Sequence, residues 1–351
     1  MKRPALLAVD AGGSKIDAVL LRRDGNLLGA ARRRGLDHDG TGREGFLERI
    51  ADAVVAACRD AGLEPDHQPV AELGMYCVAG ADLPADDRRI ARWFRRRGLT
   101  ESDVVRNDTF AVLRAGTDRT WGVAVVCGYG TNCSAVAPNG RTFRFPAFGE
   151  LSGDWGGGHD IGSAALWHSV RAEDGRGEAT KLRTLVPQHF GFTRPKQLTE
   201  AMYFDRIAER RVVELTPIVF RAAAAGDAVA RAIVDRQADE IVRMAGVAVR
   251  RLHMTRLDVD IVLGGGIFSS GDEDFLGRIG RGLAEVARQA EVRVLDVPPV
   301  VGAALLGLDT IGARPEARRR ARTALVKTRL GARSRREPRH EPRHEPRHGK
   351  G

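Results

Sequence analysis

Apolar residues come in short runs at the start of the chain. Ala5–Val9 and Ile16–Arg22 read as strands, and the polar Asp24-Gly25 turn sends the chain back into a third, Leu27–Arg32. Gly45–Ala61 changes period: Phe46, Ile50, Ala53, Val54 and Ala57 share one helical face. A strand over Leu73–Val78, a helix over Asp86–Arg97, a short strand over Asp103–Arg106 and a helix over Asp108–Ala115 follow.

The pattern then restarts. Gly122–Cys127, Cys133–Ala137 and Thr142–Phe145 again read as three strands, with Asn139-Gly140 as the second turn. Asp160–Arg171 is helical, and a long helical stretch covers Thr180–Met254, broken near Pro187 and Pro195. Val259–Leu263 and Val292–Leu295 are strands, and Gly277–Gln289 and Val300–Leu308 are helices. The spacing predicts an α/β fold in which one unit occurs twice. We expect domains over residues 1–116 and 117–311, the second with a helical insertion, and a basic, disordered tail over 312–351. Within that tail the pattern allows one short helix, in Glu316–Leu330.

Composition sharpens this. Hydrophobic residues make up 43% of the 351 and aromatics only 5%, so the cores are built from Ala, Val, Leu and Ile. The net charge of +10 sits entirely in the tail, where twelve Arg and two Lys oppose four Glu. A neutral body argues against a nucleic-acid surface. Four cysteines form no zinc spacing, no signal peptide is apparent, and no apolar run approaches the ~20 residues of a membrane span. The expectation is a reduced, cytoplasmic protein.

Five motifs carry chemistry. Asp10-Ala11-Gly12-Gly13-Ser14-Lys15 ends the first strand; its turn amides and hydroxyl can donate to phosphate, and Asp10 can hold Mg²⁺ through water. Gly128-Tyr129-Gly130-Thr131 stands at the equivalent place in the second unit. Two such turns suit a clamp on a nucleotide's phosphates. Arg106-Asn107-Asp108-Thr109 opens a helix with a carboxylate, which can act as helix cap or general base. In Ser152–Asp160, Asp154 can hold a substrate hydroxyl or a magnesium water, and Trp155 is either a sugar platform or core. Gly264-Gly265-Gly266 follows a buried strand, where a flat base can lie against backbone.

In this order the motifs resemble the actin–hexokinase–heat-shock chaperone superfamily, and within it the BadF/BadG/BcrA/BcrD-type ATPase family, which includes N-acetylglucosamine kinases and bacterial glucosamine kinases. The resemblance covers about residues 5–310. It implies an actin-like, ribonuclease H-like duplicated fold with a nucleotide cleft, ATP and Mg²⁺ as cofactors, and phosphorylation of an amino sugar on its 6-hydroxyl. It implies Asp108 as the base. ATP contacts fall on Asp10, Gly12, Gly13, Ser14, Lys15, Gly128, Gly130, Thr131 and Gly264–Gly266, metal contacts on Asp10 and Asp154, and substrate contacts on Asp37, Asp39, Asn107, Asp108, Asn132 and Asp154. Where the sugar kinases tend to carry Asn, this chain has Asp37 and Asp39, which suit an ammonium better than an acetamide. The Gly-Asp-Glu-Gly-Ser loop of the family is Gly153-Asp154-Trp155-Gly156-Gly157 here, without the Glu. A homodimer is expected from similar proteins. Two other readings stand beside the kinase: an activator of a radical dehydratase, whose iron–sulfur cluster would need Cys127 and Cys133, and a non-catalytic ATP-binding regulator.

Overall fold

The computed structural model describes residues 3–35, 42–66, 68–328 and 330. Two five-stranded sheets share one strand order. In the first, β1 (Leu6–Ala11), β2 (Lys15–Leu21) and β3 (Leu27–Arg34) form an antiparallel meander, and β4 (Ala71–Val78) and β5 (Thr100–Asn107) run parallel to β1. The order is β3-β2-β1-β4-β5. In the second, β6 (Gly122–Cys127), β7 (Thr131–Val136) and β8 (Thr142–Arg144) form the meander, and β9 (Asp260–Gly264) and β10 (Glu291–Val294) complete it in the order β10-β9-β6-β7-β8. The expected repeat is therefore a repeat of topology.

Each strand of the first sheet sends alternate residues to opposite faces. Leu7, Val9 and Ala11 pack beneath α1 (Gly42–Asp60) and α2 (Pro84–Arg97). Leu6 and Ala8 pack against α10 (Val300–Thr310), which lies on α3 (Asp108–Gly116). This helix contact is close: a Cβ on Gly302 would stand 1.8 Å from the Ala111 carbonyl oxygen. On its other side α3 sends Val112 and Leu113 against Ala124 and Val262 of the second sheet. One short helix is thus wedged between both sheets, and its first residue is Asp108.

The outer face of the second sheet is covered by α4 (Gly158–Asp174), α5 (Leu182–His189), α6 (Pro195–Tyr203), α7 (Thr216–Ala224), α8 (Ala228–Arg251) and α9 (Glu273–Val286). Pro195 opens α6, while Pro187 sits in the last turn of α5. Strand β5 is longer than its apolar run, because it is an edge strand whose polar residues face outward.

Position along the chain misleads at the C-terminus. Helix α10 follows the second sheet but packs on the first. Residues 315–327 form α11, whose Ala317, Ala321 and Leu325 are buried in the same core. A tail starting at 312 is thus corrected over this stretch. The helix anticipated in Glu316–Leu330 is present, and its apolar residues, four apart, hold it to the fold. The remainder of the proposed tail lies outside the described residues. No helix among the described residues is long and apolar enough to cross a membrane.

Candidate active site

A cavity of about 930 Å³ opens between the two sheets. Its opposite walls are the two glycine turns. Gly12, Gly13, Ser14 and Lys15 line one side, where the Gly12 amide donates to the Lys15 carbonyl at 2.9 Å. Gly128, Gly130 and Thr131 line the other, where the Gly128 amide donates to the Gly130 carbonyl at 3.0 Å. Gly265 and Gly266 form a third edge. Gly264 is set back beneath α3, where a Cβ would meet Val112 at 2.7 Å.

The glycine-rich loop after Ser152 has a structural job as well as a place on the cavity wall. Gly157 has φ +86°, and a Cβ there would stand 2.4 Å from the Gly130 Cα. Its amide donates to Gln237 Oε1 at 2.7 Å, and the Gly158 amide donates to the Gly128 carbonyl at 2.8 Å. The loop is stacked beneath the second turn and props it. Of its residues, Asp154, Gly156, His159 and Asp160 reach the cavity. Trp155 packs on the core beneath the Arg236 guanidinium, 4.0 Å from the ring centroid. Asp154 accepts a hydrogen bond from Ser152.

Three carboxylates dominate the floor. Asp10 ends β1 almost wholly buried, and no described residue donates a hydrogen bond to it. Register sets Asp17 directly across the hairpin from it. Asp17 is fully buried and held by Arg32 through two bonds of 2.6 and 2.8 Å. Burial, then the charges of Asp17 and Asp108, push the Asp10 carboxyl well above the usual range, against Lys15 and Arg32. Asp108 begins α3. Burial pushes it up to about 6, while the amides of Thr109 and of Asp108 itself pull it down.

The third carboxylate, Asp82, lies just beyond β4 and was not among the sequence candidates. Asn107 Nδ2 donates to Asp82 Oδ1 at 2.8 Å, and Asn132 Nδ2 to the same oxygen at 3.1 Å. Burial first, then the charges of Asp108 and Asp86, push its pKa up to about 7, opposed by Asn132 and Arg144. The two asparagines expected to contact substrate are thereby occupied. Asn107 is buried, and its Oδ1 accepts from the Thr109 amide at 3.0 Å as the α3 cap. Asn132 Oδ1 accepts from the Cys133 amide at 2.7 Å. The Thr109 hydroxyl bonds Ser134 at 2.6 Å, joining α3 to the second sheet. Asp37 and Asp39 lie outside the described residues.

Two glycine turns thus line one cavity, with a carboxylate at a helix N-terminus beside them. The profile of the BadF/BadG/BcrA/BcrD ATPase family matches residues 7–307. The chain belongs to this ATPase family. As a member it uses ATP. It is 26% identical over 267 residues to an N-acetylmuramic acid/N-acetylglucosamine kinase of Clostridium acetobutylicum, covering 76% of this chain and 86% of that protein. To an N-acetyl-D-glucosamine kinase of Dictyostelium discoideum it is 23% identical over 320 residues, covering 88% and 99%. A solved structure from Chromobacterium violaceum, described as a candidate N-acetylglucosamine kinase, superposes with a TM-score of 0.67 at 21% identity, covering 87% and 99%. This ATPase-family chain therefore has the actin-like fold of the sugar kinases.

Proposed function

We propose that the chain transfers the γ-phosphoryl group of ATP to the 6-hydroxyl of an amino sugar, glucosamine or N-acetylglucosamine. The observation that carries this is Asp108 at the mouth of α3, in one cavity with both glycine turns. In the proposed step the two turns hold the phosphates, with Lys15 beside the first. Asp108 accepts the hydroxyl proton as the sugar oxygen bonds phosphorus and the bond to ADP breaks. A pKa near 6 leaves Asp108 ionised at neutral pH yet basic enough to take a proton. Gly265 and Gly266 fit a base edge-on.

Mg²⁺ fits Asp10, a buried carboxylate without a hydrogen-bond donor among the described residues. Such a cation would offset charge on the phosphates. No group of three or more His, Cys, Asp or Glu is gathered to hold a metal among the described residues, so water would complete its shell. Asp154 is proposed to steady such a water or a sugar hydroxyl. We further propose a cytoplasmic homodimer.

The dehydratase-activator reading loses support. Cys127 and Cys133 are fully buried in the core, and burial pushes the Cys127 thiol up to about 12. A cluster shared across a dimer needs accessible thiolates.

The test is ADP release coupled to NADH oxidation, with glucosamine, N-acetylglucosamine and glucose as acceptors. Turnover should require a sugar and fall ~10²–10⁴-fold in Asp108→Asn. ADP release independent of sugar, or full activity in that variant, refutes the proposal.

A further inference from the structure

We propose that Asp82 is the substrate amine's carboxylate, making the site selective for a sugar with a free, protonated amino group. This rests on the kinase reading and names its substrate class. The geometry is unusual for a structural aspartate. Both asparagine amides converge on Oδ1, and Oδ2 takes no hydrogen bond from any described residue. The side chain lines the cavity together with Asp108. Asn107 and Asn132, one from each sheet, thus hold one oxygen of a carboxylate that lines the ligand space and leave the other without a donor among the described residues.

A ligand that meets this oxygen should be cationic. Asp10, Asp82, Asp108, Asp154 and Asp160 line the cavity, against Lys15 and His159. A sugar hydroxyl could donate to Oδ2 but would leave its charge uncompensated in a site where burial already disfavours it. An ammonium supplies both donor and charge. A metal ion is less suited, since one free oxygen offers a single ligand and no third carboxylate or imidazole is gathered there. An N-acetyl group brings no charge at all. The groups facing Asp82 are Asp108 at the start of α3, Asp86 on α2 and Arg144 on β8, two acids against one base. That balance raises its pKa in the empty site, and an arriving ammonium reverses it.

The experiment compares wild type and Asp82→Asn with glucosamine, N-acetylglucosamine and glucose at saturating ATP. We expect wild type to prefer glucosamine. The variant should lose ~10–100-fold in kcat/KM for glucosamine, mostly through KM, and a clearly smaller factor for the neutral sugars. Equal losses on all three sugars, or no glucosamine preference in wild type, overturn the assignment while leaving the kinase reading intact. No turnover of any sugar by wild type overturns both. Calorimetry in buffers of different ionisation enthalpy gives a second readout. Glucosamine should release protons from wild type near pH 7 and none from the variant; an identical proton count in both overturns the assignment. Retained binding of a non-hydrolysable ATP analogue shows that the variant is folded.

Discussion

Replacing Asp108 by asparagine should stabilise the fold while it sharply lowers turnover. The carboxylate is held at about 6 against an ordinary 3.8, chiefly by burial. That difference corresponds to ~3 kcal/mol of cost to the ionised form. The sign follows from the direction of the shift. Below the unfolded value both states hold the proton and the cost is absent; it builds between about pH 4 and 6 and is complete above. Asparagine carries no charge to desolvate but forgoes the charge-strengthened amide bonds at the helix start, so a net gain of ~1–2 kcal/mol is expected at pH 8. For a chain of this size that raises the melting temperature by ~1–3 °C. Differential scanning fluorimetry or urea unfolding of both proteins at pH 8 and pH 5 tests it. The advantage should shrink at pH 5, and kcat should be down ~10²–10⁴-fold throughout. A variant less stable at pH 8, or an advantage that ignores pH, refutes the claim that burial sets the basicity of Asp108. In wild type, kcat/KM should fall as pH drops through about 6.

Three further outcomes follow from other contacts. Arg32→Ala strips both donors from fully buried Asp17 beside Asp10, and should cost ~3–5 kcal/mol in urea unfolding at neutral pH. Gly157→Ala drives a methyl into the Gly130 backbone, shifting the second turn, and should lower kcat/KM for ATP by ~10²-fold in the coupled assay. Leu325→Ala empties part of the core under α11 and should cost ~2–4 kcal/mol in thermal or urea unfolding, although it does not line the cavity.

The duplicated meander was legible because Asp24-Gly25 and Asn139-Gly140 mark its turns and the strands between them are continuously apolar. Both glycine turns were legible for the same reason: each follows a strand with glycine. Asp17 and Asp82 were not. Asp17 sits in an apolar strand, and its influence on Asp10 comes from cross-strand register, which one strand does not display. Asp82 gains its character from Asn107 and Asn132, which meet only when both sheets are assembled. Its nearest signal was an acid shortly after a strand that runs into Ala79-Gly80. In α11 the spacing of Ala317, Ala321 and Leu325 was visible, but the surrounding arginines outweighed it. Several of these are spent inside the fold: Arg318 pairs with Asp309, and Arg322 donates to the Ala115 carbonyl.

The return of α10 to the first sheet means that the backbone passes between the sheets twice, once over residues 117–121 and again over residues 295–299. With two covalent crossings, a swing about the line that joins them is the relative motion of the sheets that stretches neither. Leu295, Val297 and Pro299 of the second crossing also border the cavity. Whatever fills that side of the cavity therefore touches the second crossing itself.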